Sequence, residues 1–169
     1  MIGWGLVVIL MAAVNVFRGG GLWADKFADK IPGHPRIYAS VAAGLIALTV
    51  AGPITAACVS LGYFFWALLP WGGWFDLGRV HDTWPMTKRT AFENRLTNLC
   101  RGNDHLAFTV RNLIGSGVVA TLVSPWFLLL APLQTVSYEI GWRVSSASAI
   151  RIGEALTGIV WGILVVAFA

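Results

Sequence analysis

The chain has 169 residues, 57% of them hydrophobic and 12% charged, with a mean hydropathy of +0.71. A soluble domain carries about a quarter charged residues, so this composition argues against an ordinary globular domain and for an integral membrane protein. The formal charge is +4. No basic run is interleaved with aromatics, so the excess reads as the cytoplasmic Lys/Arg bias of a membrane protein, with no nucleic-acid partner.

In chain order, residues 2–17 carry no charge, lack a basic leading segment and offer no small-residue cleavage site; they read as a retained helix. Residues 37–75 are uncharged and long enough for two helices, with Ala51-Gly52-Pro53 as the turn. Ala39, Ala43, Ala47 and Ala51 form a small-residue stripe on the first of them. Residues 112–138 are also uncharged, and make either one long tilted helix or two that meet near Ser124-Pro125-Trp126. Residues 155–169 form the last apolar run.

Topology chooses between five helices and six. Helices at roughly 2–17, 37–52, 54–72, 106–122, 125–141 and 150–168 place segments 18–36, 73–105 and 142–149 on one side. All twelve Lys and Arg then sit at or near that face, which the positive-inside rule makes cytoplasmic. A five-helix chain would put Arg143 outside. The expected fold is therefore all-α: a single-domain, polytopic bundle of three hairpins in a bacterial inner membrane, both termini outside. The nine Trp suit two membrane–water interfaces.

The cytoplasmic segment 73–105 contains "TAFENRLTNL", where Thr90-x-x-Glu93 has capping-box spacing and Phe92, Leu96 and Leu99 share a helical face. With Lys88, Arg89 and Arg95 around that stripe, a short amphipathic helix at about 90–101 is expected on the inner leaflet; a partner-docking helix has the same pattern.

Glu154 is the sharpest site candidate. In "RIGEALTGIVWG" it shares one helical face with Gly158 and Gly162, whose G-x-x-x-G spacing allows close helix packing. An acid one turn inside a membrane needs a partner: Arg151 is near in sequence, and Arg18, Arg111 and Arg143 are distant alternatives. Glu139 and Arg143 form a second pair at i,i+4 spacing. With Arg111, Asn112 and Asn15, these residues define a polar cluster near the cytoplasmic helix ends, read as an ion or proton site or as interfacial anchoring. In "LPWGGWFDLGR", Trp71 and Trp74 suit the headgroup layer, and Asp76 and Arg79 are spaced to pair, either as an anchor or as a headgroup site. His81-Asp82 and Asp104-His105, with Glu93, are the remaining headgroup or metal candidates, though they lack a repeating ligand spacing. Cys58 lies in an apolar run and Cys100 in a polar one, so no disulfide is expected. No catalytic motif emerges and no cofactor is expected.

The pieces "FRGGGLW", "GHPRIY", "GYFFW" with "GGWFDLGR", and "RIGEALTG" together resemble small polytopic inner-membrane proteins of phage and prophage genomes. That resemblance implies an origin and carries no site residues with it. Three classes of function follow from the residues: association with itself or another membrane protein, transport through buried acids, and enzymatic action on lipid headgroups. Expected partners are membrane lipids, a second copy, or another membrane protein.

Overall fold

The computed structural model describes residues 3–19, 35–68, 91–144 and 147–168, and every regular element among them is helical. The helices are α1 (Trp4–Gly19), α2 (Pro35–Leu48), α3 (Pro53–Leu68), α4 (Ala91–Leu99), α5 (Asp104–Leu122), α6 (Leu130–Val144) and α7 (Ala147–Phe168), with a short 3-10 helix at Pro125–Leu129 before α6.

The turns follow from local chemistry. Between α2 and α3, Pro53 occupies the first helical position, where its missing N–H has no intrahelical acceptor to lose. The carbonyl of Gly52 accepts from Ala56 N at 2.9 Å and starts the new helix. Because α2 ends at Leu48, Ala51 falls in this turn and leaves the expected alanine stripe; Ala39, Ala43 and Ala47 remain on it, all buried. After α4, Arg101 and Gly102 take left-handed backbone (φ 56° and 78°), and Asn103 caps α5 by accepting from Leu106 N at 3.0 Å. Ser124 is extended ahead of Pro125, as the ring requires of its predecessor. The uncharged run 112–138 is thereby divided into α5 and α6, and the single long helix is ruled out.

α1 and α7 pack antiparallel along a glycine seam. A Cβ on Gly158 would lie 2.6 Å from Ala12 Cα, and one on Gly162 would lie 2.5 Å from Val8 Cα. Only glycine permits that approach. Gly44 brings α2 equally close to Ser60 of α3, and Gly153 brings α7 close to Ser137 of α6. α3 runs against α5, with Gly115 on Trp66 and Gly62 on Val119.

These registers give the bundle two unlike ends. Trp4, the 49–52 turn, and Trp126 stacked on Phe168 (centroids 5.4 Å apart) lie at the first. The C-termini of α1, α3 and α6 and the N-termini of α5 and α7 lie at the second, which carries the exposed Arg95, Arg101, Arg143 and Arg151. The apolar core encloses several polar side chains, and many large apolar side chains face outward. Asn15, Arg18, Asn112, Gln134 and Glu154 are buried, whereas Ile37, Val41, Leu45, Ile54, Leu61, Ile152, Leu156 and Ile163 are exposed.

Length limits the spanning expectation. Among the described residues, one helix is long and apolar enough to cross a membrane, through Arg151–Phe168. α1, α2 and α3 are apolar but have 16, 14 and 16 residues, which is about 21–24 Å of helix against a hydrocarbon core of about 30 Å. The fold is all-α as expected; six full-length spans are not shown.

The seam generates a first prediction. Gly158→Val should destabilise the protein by about 1–3 kcal/mol or more through overpacking, read as a lower thermal midpoint in detergent. Gly5→Ala, where an added Cβ meets nothing within 4 Å, should leave the midpoint unchanged.

Candidate functional site

At the basic end of the seam, four helices meet around one carboxylate. Glu154 of α7 has no exposed surface, and Arg18 of α1, one turn along the seam, is 1% exposed. Arg18 Nη2 lies 3.1 Å from Glu154 Oε2. Asn15 Nδ2 donates to the same oxygen at 2.5 Å and to the Glu154 backbone carbonyl at 2.8 Å. Gln134 Nε2 of α6 donates to Oε1 at 3.3 Å. Tyr63 of α3 closes the network, its hydroxyl donating to Asn15 Oδ1 at 2.7 Å, and Arg18 Nη2 donates to that same oxygen at 3.3 Å. Asn15 is thus the hub, because its amide can donate to the acid and accept from the phenol at once.

Aromatic rings enclose the pair. The Arg18 guanidinium lies 4.9 Å from the Trp66 ring centroid, a cation–π distance. Trp66 meets Trp161 edge-on at 5.5 Å, and Trp161 meets Phe127 edge-on at 4.9 Å and Tyr63 at 5.0 Å. Charge compensation is complete in sign, yet hydrogen bonding is not. Arg18 Nε and Nη1, Gln134 Oε1 and the indole nitrogens of Trp66 and Trp161 are buried without a hydrogen-bond partner. Four of these five atoms are donors, and the fifth, Gln134 Oε1, is an acceptor.

The other sequence candidates distribute differently. Of the four arginines offered as partners for Glu154, the structure places Arg18 on it, while Arg151 is exposed. Arg111 is buried and sits 5.7 Å from the Phe108 ring centroid. Asn112 Nδ2 donates to Thr135 Oγ1 at 3.1 Å, tying α5 to α6. Glu139 forms a second group with His105, whose Nδ1 is 2.6 Å from Glu139 Oε1, and Arg143 Nε approaches its other oxygen at 4.0 Å. The expected single polar cluster is therefore two: an occluded one at Glu154 and a partly exposed one at Glu139. Gly158 and Gly162 lie in the α1–α7 seam.

Asp76, Arg79, His81 and Asp82, with Trp71, Trp74, Lys88, Arg89 and Thr90, lie outside the described residues, as do the side chains of Phe92, Glu93 and Asp104. Among the described residues, no group of three His, Cys, Asp or Glu is placed to hold a metal ion. Cys58 and Cys100 are free thiols.

Tyr63, Trp66, Gln134 and Trp161 belong to the site and were not singled out by sequence. Gln134 and Tyr63 left a signal: each is a hydrogen-bonding side chain inside an uncharged helical run, where its polar group needs a partner. No family model, curated protein or solved structure matches the chain.

Removing one partner of a buried pair strands the other charge, at about 3–5 kcal/mol. Arg18→Met alone should therefore lower unfolding stability by about that amount. Adding Glu154→Leu should recover most of the loss, because the stranded carboxylate is removed. A double-mutant cycle on detergent unfolding midpoints checks this; a loss in the double variant equal to the sum of the two single losses would show that the two side chains act independently. Tyr63→Phe should cost about 1 kcal/mol in the same assay, the worth of one buried hydrogen bond.

Proposed function

We propose that the chain is a multi-pass inner-membrane protein, with six helices in three hairpins, that works by association with itself or another membrane protein and not by catalysis. The observation that carries this reading is the apolar outer face of the bundle, together with an occluded ion pair inside it. Its interior holds an ion pair with Asn15 and Gln134, while its outer face presents Ile37, Val41, Leu45, Ile54, Leu61 and Ile163. In water such a surface is an aggregation hazard; against lipid tails it costs nothing, and the polar side chains take the interior as the cheaper place.

The two unlike ends support the orientation. Exposed arginines mark the cytoplasmic end, and Trp4 and Trp126 mark the opposite interface. Within this reading the described parts of α1 to α3, short for a full span, are accommodated by local thinning of the bilayer. The phage-like resemblance agrees with a small membrane protein and adds no activity.

Sided labelling tests the topology. In a Cys58→Ser/Cys100→Ser background, Gly52→Cys and Ser124→Cys should react with a membrane-impermeant maleimide on intact spheroplasts, and Arg101→Cys only after lysis. Labelling of positions 52 and 101 from the same side, or release of the protein by alkaline carbonate, would overturn the reading. Association predicts a defined oligomer or a stoichiometric membrane partner on native mass spectrometry; a bare monomer would sink it.

A second reading, transport of protons or ions, draws on the unpartnered Arg18 and Gln134 atoms beside an occluded acid. It predicts flux in proteoliposomes that Glu154→Gln abolishes, and absence of flux in the unmodified protein rejects it.

A further inference from the structure

We infer that the basic end of the bundle is a docking surface for anionic lipid headgroups, centred on α4 and the reverse turn after it. This rests on the membrane reading above and adds to it a lipid preference and a location.

α4 is too short and too polar to be a span, and it packs on α5 with Leu96 turned inward. Among the described side chains of α4, Leu99 does the reverse and departs from the expected shared face with Leu96: it is 80% exposed. Arg95, one helical turn earlier on the same face, is exposed too. The left-handed pair Arg101-Gly102 then folds the chain back, with Gly102 N donating to Thr97 O at 2.9 Å. Exposed Arg101 lies in this reversal, two residues after Leu99, and the chain enters α5 with Leu106 half exposed. An outward leucine pair flanked by cations on short stems of chain suits an interface, where apolar groups enter the acyl boundary and guanidinium groups stay with phosphates.

Charge at this end selects the sign of the partner. Arg95, Arg101, Arg143 and Arg151 are exposed there. The one partly exposed carboxylate among the described side chains, Glu139, lies against His105 and Arg143, which leaves Arg95 and Arg101 as the cations nearest α4 and its turn. Phosphate diesters bearing a net negative charge, presented as a sheet, complement this surface; zwitterionic headgroups do so only weakly. Arginine also binds phosphate through two N–H groups at once, which favours headgroup contact over a diffuse counter-ion layer.

The test uses the full chain in nanodiscs, in the Cys58→Ser/Cys100→Ser background. Leu99→Cys carries an environment-sensitive fluorophore, and Ile163→Cys on the outer face of α7 serves as the reference. Discs are made of phosphatidylcholine alone or mixed with phosphatidylglycerol, each with brominated acyl chains as quencher. The expected result is a blue-shifted, quenched label at position 99 in discs containing phosphatidylglycerol and loss of that shift in phosphatidylcholine alone. Arg95→Glu/Arg101→Glu should abolish the difference while leaving the position 163 label quenched in both. A label at 99 that stays in water in both lipids, or that responds equally to both, overturns the inference. An unquenched label at 163 overturns the membrane reading instead, so the two failures are told apart.

Discussion

The bundle is organised by one constraint: a carboxylate and a guanidinium that share a space with no access to water. Separating Glu154 from Arg18 would leave a charge in surroundings that cannot solvate it, so the helices carrying them are held in register. The distance between the two charges fixes α1 against α7 at one end of their contact. Gly158 and Gly162 let the same two helices approach closely over the following two turns. The pair and the seam depend on each other. Without the glycines the backbones would stand off and the side chains would no longer meet; without the pair, a close seam would bring a single charge into the bundle.

Around this axis the remaining helices contribute by supplying what two charges alone cannot. Asn15 serves both sides because an amide donates and accepts, and Tyr63 and Gln134 bring α3 and α6 to it. The Trp66, Trp161 and Phe127 rings then exclude solvent and lower the local dielectric, which strengthens the attraction that pays for burying the pair. The second polar group behaves differently because it is wetter. His105 and Glu139 tie α5 to α6 near the basic end, where competing water reduces what a polar contact is worth.

Much of this was legible in the sequence, and the limit of legibility has a physical cause. Period-four spacing placed Glu154 with Gly158 and Gly162 on one face, because helix geometry is local. Ser124-Pro125 marked where the 112–138 run could divide, and the one-sided distribution of Lys and Arg chose two helices over one. The partner of Glu154 was not readable, since four arginines satisfied the same electrostatic demand and only the order of helices in space separates Arg18 from the rest. Gln134, Tyr63 and the two tryptophans were missed for a related reason. Their side chains are ambiguous one at a time, and each becomes a site residue only through a helix remote in sequence. Helix ends were less legible: an uncharged run marks where a helix is tolerated, whereas its ends are set by turns such as the one that stops α2 at Leu48, short of the expected residue 52.

The seam also narrows where the proposed association could take place. A G-x-x-x-G face is often read as a dimerisation surface, and the spacing of Gly158 and Gly162 invites that reading. Here Ala12 and Val8 of the same chain already fill the approach, and the volume of even one methyl group is unavailable. A second copy has no access to those glycines unless α1 leaves, and α1 is fastened by Arg18. In the proposed association, contacts between chains would then use the outer apolar faces, such as Val41 and Leu45 of α2 or Leu156 and Ile163 of α7, where large side chains, and not glycines, meet the surroundings. Such surfaces gain little from close backbone approach and depend on side-chain packing. Association through them is therefore expected to be more tolerant of single substitutions than the fold itself.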